Sequence, residues 1–476
     1  MNLAEAYIAS LFGLHLPQHL AHFLTLALIV FLFRRDIREK PDVSGALWLP
    51  LLWLVLMCSR PFTQWLNIFG LHVSGRASIE EGSPIDACCY LALAVAGFCV
   101  LYNRQVQFSE VVMNNGWLVA FFLYCFISIA WSDFPFIAFK RWTKIFGHPI
   151  MALIVLTEPD LKEALIRLMK RCAYVVVPVS ILWIKYYPRW GTSCDEWGDC
   201  MNKGIAGDKN HLGADLLILG FFFFWYLLQT WRTERNTRRR NELRLIAGFL
   251  IGICWLFRAA HSATSTICLL VAILIFVFVG MRSINKKFIG TYMLAALVLL
   301  AAAELAFGIS GHLSESLGRG SELSGRKESW RLCLQFQNHP ILGAGFQSFW
   351  LGETRARIRE VIPWLGGAHN GYLATYLDLG LVGLAFLIGL LIATFWKIRA
   401  ELFRNFDWGR YRLGLLAALV LLNWTEVTFD SFSCAWFVFY LIGMDYPRTH
   451  LATAQPSVGA SRSEESREFA YAEGGP

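Results

Sequence analysis

Charge is scarce in this chain. Lys, Arg, Asp and Glu make up 16% of its 476 residues, where ordinary soluble domains carry about 25%. That shortfall excludes a disordered protein and a typical cytosolic enzyme. The local patterns of soluble chemistry are missing too. There is no HExxH, no CxxC pair with metal spacing, no P-loop and no GxGxxG. Zinc hydrolysis and soluble nucleotide chemistry are therefore not expected, nor is a metal or other cofactor. The first residues lack a basic segment and a cleavage site, so the first apolar run is expected to stay as an anchor. Alternating apolar and polar residues, the mark of a membrane β-barrel, do not occur over long stretches.

Long apolar runs are what the chain has. It is 56% hydrophobic with a mean hydropathy of +0.46. The expected fold class is an all-α polytopic membrane protein, because only helices satisfy their own backbone in lipid over such runs. Thirteen candidate spans can be read: 16–33, 45–58, 86–102, 116–131, 144–157, 172–187, 211–231, 245–258, 262–280, 288–308, 370–395, 413–427 and 432–444. The last two could instead form a shallow hairpin; about 12–13 transmembrane helices are expected. Five loops are rich in Lys and Arg: 34–40, 158–171, 232–244, 281–287 and 396–412. Alternation through thirteen spans puts all five on one side, the cytoplasmic side by the positive-inside rule. The net charge of +8 therefore sits in membrane loops and is no sign of nucleic-acid binding. Two parts are expected: a transmembrane domain over 1–444, including an external loop over 309–369, and a polar, unstructured cytoplasmic tail over 445–476.

The opposite side carries loops 59–85, 132–143, 188–210 and 309–369. The last is the only one long enough to fold over the membrane surface, and loops carry function more often than spans do. Most of the 12 cysteines lie inside spans as small apolar residues. Cys194 and Cys200 are the exception. They lie in the external stretch GTSCDEWGDCMNKG, where a disulfide and two free thiols are both open. Acids in or beside spans are Asp215, Glu304, Asp378, Glu426 and Asp430. Ion coupling is one reading of them, and pairing of Asp215 with His211 or a nearby Arg is the blander one. The FFFFW run at 221–225 reads as packing or lipid-facing material.

The long external loop reads GRKESWRLCLQFQNHPILGAGFQSFW and then GGAHNGYLATYLDLG. Gly325-Arg326 with Trp330, then His339-Pro340 with Gly343 and Gly345, then Ala368-His369-Asn370 opening the next span, resemble the signature of the O-antigen ligase and polymerase superfamily. SRPFTQWLNIFG (59–70), EEGSPIDACCY (80–90), WSDFPFIAFKRWTK (131–144) and GDKNHLGADL (207–216) resemble its exopolysaccharide-production, ExoQ-like branch. The resemblance covers roughly 45–430. One departure is AAHSATST at 259–266, with no Arg after its Ser where several ligases have Ser-Arg-Gly. That favours the polymerase-like branch.

The resemblance implies a GT-C-like, metal-independent glycosyltransferase. It would act on glycans carried by undecaprenyl pyrophosphate at the outer face of a bacterial inner membrane. Such chemistry needs cations for the pyrophosphate, a base for the acceptor hydroxyl and a groove for the lipid. Arg326 is the first cation candidate, Arg141 the second and Lys209 the third, since guanidinium pairs with phosphate in a bidentate way. The alternative for each is pairing with lipid headgroups. His369 is the expected base, because imidazole titrates near neutrality and this one lies at a membrane surface. Its alternative is a simple interfacial histidine. Asn370 would hold His369 or a sugar hydroxyl. His339 precedes proline and so lies in extended backbone, shaping the site or touching substrate. Asp133 would orient Arg141 or cap the next helix. Trp131, Trp142 and Trp330 suit an interfacial aromatic belt, with sugar stacking open for Trp350 and Trp364.

The expected activity is polymerisation of lipid-linked units, with a glycan donor, a glycan acceptor, the bilayer and a chain-length regulator as partners and no nucleic acid. The alternatives are a ligase that passes the glycan to lipid A core or protein, and a permease. Against a permease stand the absence of an internal repeat and of broken spans at matching places in two halves.

Overall fold

The computed structural model describes residues 16–39, 41–71, 82–194, 200–292, 320–337, 339–363, 365–429 and 431–446, without the side chains of 320–327. The expected span 288–308 with Glu304, as well as Trp364, Asp430 and the tail beyond 446, lies outside the described residues, the span almost entirely.

The other twelve expected spans coincide with helices. In chain order these are α1 (Gln18–Arg38), α2 (Trp48–Cys58), α3 (Phe62–Ile68), α4 (Pro84–Asn103), α5 (Phe108–Asn114), α6 (Gly116–Ile127), α7 (Pro135–Leu156), α8 (Leu161–Tyr186) and the short α9 (Pro188–Gly191). A two-stranded hairpin follows, β1 (Thr192–Cys194) and β2 (Cys200–Asn202). Next come α10 (Lys209–Trp231), α11 (Thr237–Ala260), α12 (Ala263–Gly280), α13 (Gly320–Gln335), α14 (Gly352–Val361), α15 (Gly371–Arg404), α16 (Phe406–Thr425) and α17 (Cys434–Gly443). The protein is an all-α polytopic membrane protein.

Among the described residues, five helices are long and apolar enough to cross a bilayer unaided: α4, α10, α11, α12 and α15. Two bent pairs bring the number to seven: the Gly45–Cys58 stretch with α3, bent by 74°, and α5 with Gly116–Trp131, bent by 98°. Helices α1, α7, α8 and α16 are comparably long at 21, 22, 26 and 20 residues. They carry more charge, and several of those charges, such as Arg35, Asp36, Arg167, Arg171 and Arg412, are partnered by neighbouring elements. Apolar side chains on the span-capable helices are exposed in stripes, as lipid contact requires: Leu91, Val95 and Phe98 on α4, and Leu270, Leu274 and Val277 on α12. The aromatic run at 221–225 turns inward, with Phe221, Phe222, Phe223 and Trp225 buried, so it packs the core.

Ion pairs and one hydrogen bond tie the five basic loops together at one end of the bundle. Arg167 reaches Asp36 and Glu39 at 2.6 Å each, and Arg171 reaches Asp36 at 2.7 Å. Arg35 and Lys170 share Glu242. Arg232 meets Asp407 at 2.9 Å, and Arg399 donates to the Lys287 carbonyl at 2.9 Å. Loops distant in sequence can pair in this way only if they share one face. That agrees with the alternation read from charge.

The other end, here the loop end, holds the hairpin, whose facing residues Cys194 and Cys200 form a disulfide. It also holds a second, smaller core. Cys333 of α13, Phe349, Ile358 and Ile362 around α14, and Leu365, Ala368, Ala374 and Leu377 leading into α15 are buried against one another. This mini-core seats the external loop on the first turns of α15.

Candidate active site at the loop end of α15

Helix α15 is broken. Gly380 has φ 67° and ψ −167°, a region only glycine occupies comfortably. The break frees backbone groups inside the bundle, and such groups need partners. The His-Pro-x-x-Gly-x-Gly segment supplies them. Ala344 and Gly345 donate to the Leu377 and Asp378 carbonyls at 3.1 and 2.8 Å, while Leu381 and Val382 donate to the Pro340 and Ile341 carbonyls at 2.9 and 3.2 Å. Gln337 Nε2 adds a bond to the Tyr376 carbonyl at 2.9 Å, and Tyr124 of α6 donates to the Leu379 carbonyl at 3.0 Å. A Cβ on Gly343 would lie 2.4 Å from the Asp378 carbonyl carbon, so the two backbones touch. The motif is thus a clamp on a broken helix. Within it His339 is exposed, and its carbonyl closes the turn by accepting from Gly343 at 2.7 Å.

The clamp continues toward α7. Gly345 packs on Ser132, where a Cβ would come within 2.6 Å. Phe346 donates its N–H to Ser128 Oγ at 3.1 Å, and Ser132 and Ser348 hydroxyls bond at 2.7 Å. Arg141 donates to the Gln347 carbonyl. Asp378, buried on α15, accepts from the Phe349 N–H at 2.9 Å. Arg141 is therefore built into the loop from the side of α7. Asp133 is exposed, and Ser132 takes the Phe134 N–H at 3.0 Å, so Asp133 does not hold the turn.

At the start of α15, Asn370 is the N-cap. Its Oδ1 accepts from Tyr372 at 3.0 Å and Leu373 at 3.1 Å, and only 4% of the residue is exposed. This is the role short polar side chains take at helix starts. His369 stands just outside the cap with φ 46°, the left-handed turn that lifts it off the helix axis. Its side chain is 47% exposed, and Nδ1 lies 3.7 Å from Glu426 Oε2. Glu426 follows α16, and its place is set by Asn423. The Asn423 Oδ1 accepts from Thr428 N at 3.1 Å, Thr428 Oγ1 at 2.8 Å and Phe429 N at 3.1 Å. Gly371 packs so closely that a Cβ would fall 1.9 Å from that same oxygen. Trp330 Nε1 donates to the Ala368 carbonyl at 2.8 Å, and its ring meets Trp424 edge-on at 6.1 Å.

The three parts of the loop signature thus converge on the first half of α15. The Arg326 backbone lies in α13, four residues before Trp330; its side chain is outside the described residues. Lys209 is set apart from this group. It opens α10, behind the Asp208 cap, in a helix that packs on α11 and α12. Trp350 is half-buried against the mini-core.

Sequence reasoning missed several cations. Lys144, one turn beyond Arg141 on α7, lies over the rings of Tyr90 at 4.6 Å and Phe432 at 4.0 Å. Its spacing from Arg141 was a usable sign. Arg60 stacks over Trp183 at 5.0 Å and donates to the Trp190 carbonyl. Burial lowers its pKa. Burial also lowers that of Lys203, helped by the nearby Arg60 charge, so these two form a second cationic spot at the loop end. Glu426 was singled out as an acid beside a span, but its pairing with His369 is visible only in the fold.

Residues 247–388 match the family model described as O-antigen ligase. That stretch of the chain is similar to the O-antigen ligase family. The matched stretch contains Arg326, Trp330, the whole 339–345 clamp and Ala368-His369-Asn370, and ends just beyond the helix break. The chain is similar to the exopolysaccharide production protein ExoQ of Rhizobium meliloti (strain 1021), 28% identical over 316 residues, which are 61% of this chain and 67% of that relative.

Proposed function

We propose that this chain is a member of the O-antigen ligase family and acts as a metal-independent membrane glycosyltransferase. It polymerises undecaprenyl-pyrophosphate-linked oligosaccharide units into an exopolysaccharide or O-antigen. The observation that carries the reading is the pairing of exposed His369 with Glu426 at the mouth of α15, on the same rim as the loop held by Arg141. His369 takes the proton from an acceptor hydroxyl, and the oxygen forms a bond to the anomeric carbon of the donor. The bond from that carbon to the pyrophosphate oxygen breaks, and the carrier leaves with the electron pair. One displacement inverts the anomeric centre. Glu426 holds the imidazole and balances its charge once protonated. Arg141 and Arg326 stabilise the charge gained by the leaving pyrophosphate. The loop end is then periplasmic and the membrane is the bacterial inner membrane, with the basic loops inside.

The test is purified full-length protein in detergent with a lipid-linked repeat unit, with and without EDTA. A ladder that survives EDTA and is lost in a folded His369→Ala variant supports the reading. A ladder of full yield from folded His369→Ala and Arg326→Ala variants overturns it. A second reading, transfer to lipid A core or to a protein, is favoured by the family model's description. A deletion strain separates the two. A single capped unit indicates a lost polymerase, whereas long carrier-linked chains indicate a lost ligase.

A further inference from the structure

Four side chains that the proposed transfer does not use meet inside the bundle. Cys58 ends α2, Cys172 lies within α8, Asp215 lies in the second turn of α10 and Cys434 opens α17. All four are buried, at 1%, 0%, 0% and 3% exposure. The sulfurs of Cys58 and Cys434 and a carboxylate oxygen of Asp215 lie within 4.8 Å of one another. The Cys58 and Cys172 sulfurs are 3.9 Å apart. Among the described residues no N–H or O–H donor reaches either oxygen of Asp215 and no cation pairs with it; only the weak thiol donors of Cys58 and Cys434 face it. The Arg or His211 partner expected from sequence is not bonded to it.

A bare carboxylate in the membrane interior is among the least favourable arrangements a protein can hold. Thiols are weak donors and compensate it poorly. Three sulfurs and one carboxylate oxygen are, however, the donor set of a thiophilic divalent cation in a closed tetrahedral site. Metal–sulfur bonds of about 2.3 Å in a tetrahedron place sulfurs about 3.8 Å apart, close to the Cys58–Cys172 spacing. The Cys58, Asp215 and Cys434 donor atoms, within 4.8 Å of one another, need close by only about an ångström to reach such a tetrahedron, and Cys172 reaches the group through its 3.9 Å contact with Cys58. We propose that Cys58, Asp215 and Cys434, with Cys172 as the fourth ligand, bind a thiophilic divalent cation such as Zn(II), locking α2, α8, α10 and α17 together. On binding, the S–H bonds of the ligating thiols break and their protons pass to water. His211 stands one turn before Asp215, and its Nε2 is likewise buried without a partner. It is placed to take the ion from the loop end. The four ligands come from positions 58, 172, 215 and 434, so no local spacing announces the site.

The test uses full-length protein purified in detergent under reducing, anaerobic conditions and incubated with Zn(II), or with Co(II) as an optical probe. Metal content after desalting is measured by mass spectrometry, and the cobalt form by its thiolate charge-transfer absorption. Native protein and Cys254→Ser, which alters an exposed thiol, are expected to retain one equivalent. Cys58→Ser, Cys434→Ser and Asp215→Asn are expected to retain at least tenfold less and to lose the cobalt band. Thermal unfolding checks that each variant folds, and Cys434→Ala replaces any that does not. Three outcomes would overturn the proposal: no retained metal in native protein, equal retention in the ligand variants, or a Cys58–Cys172 disulfide in the anaerobic preparation.

Discussion

Replacing Gly380 with alanine tests whether the external loop is held by the break in α15. The residue has φ 67° and ψ −167°, where a non-glycine residue costs about 1–3 kcal/mol. The new Cβ would also sit 2.2 Å from the Ile341 carbonyl oxygen and 2.6 Å from the Gly343 nitrogen. Backbone cannot rotate aside as a side-chain tip can, so the clamp must shift. The bonds that Pro340 and Ile341 accept at 2.9 and 3.2 Å are the first to go, each worth about 0.5–1.5 kcal/mol net. A central figure is about 3 kcal/mol of local opening free energy, or about 100-fold faster exchange of the amides concerned. The assay is hydrogen exchange with mass spectrometry on the full chain in detergent, comparing Gly380→Ala with Gly366→Ala. Gly366 lies in the same loop with no atom within 4 Å of a built Cβ, so its substitution is expected to leave exchange unchanged. Amides of 341–345 and 377–382 should speed up while those of α10 to α12 hold steady. Equal protection in the two variants would refute the clamp as the anchor of the loop.

Further substitutions separate positioning from chemistry. Glu426→Gln, which keeps shape and removes charge, should lower the turnover of lipid-linked glycan by about 10-fold or more while leaving donor KM near native, as expected for a charge-assisted contact of about 1.5–3 kcal/mol. A rise in KM alone would count against that role. Arg141→Lys keeps the charge but loses the fork that serves both the Gln347 carbonyl and a phosphate. It should raise donor KM by about 10-fold, and unchanged steady-state kinetics would remove Arg141 from the site. Asn370→Ala should destabilise the start of α15 by about 1 kcal/mol, whereas Asn370→Asp, itself a good cap, should not. Exchange at Tyr372 and Leu373 reads this directly, and equal loss with both variants would point to a substrate contact instead.

How much could be read in advance differs by feature. The placement of spans was legible because crossing a bilayer is a local property: about 20 apolar residues suffice, whatever their neighbours. The basic loops followed for the same reason, and ion pairs such as Arg167 with Asp36 at 2.6 Å place them at one end. Alternatives that hung on tertiary contact stayed open. The final two spans, readable as a hairpin, are the helices Phe406–Thr425 and Cys434–Gly443. Cys194 and Cys200 close their disulfide because a two-stranded hairpin sets them opposite one another.

The linear chain by itself determined a polytopic helical membrane protein, its sidedness pattern, and a loop whose Arg326, His339 and His369 mark it as the place to look. Only the folded molecule decided what those residues do to one another. His339-Pro340 and the glycines after it clamp a helix broken at Gly380, Asn370 is spent on a cap, and Glu426 comes within 3.7 Å of His369. The physical reason is range. Transfer energy and periodicity are summed over neighbours along the chain. A hydrogen bond between Gly345 and Asp378, or a sulfur of Cys434 beside Cys58, depends on the packing of helices that sequence distance does not order.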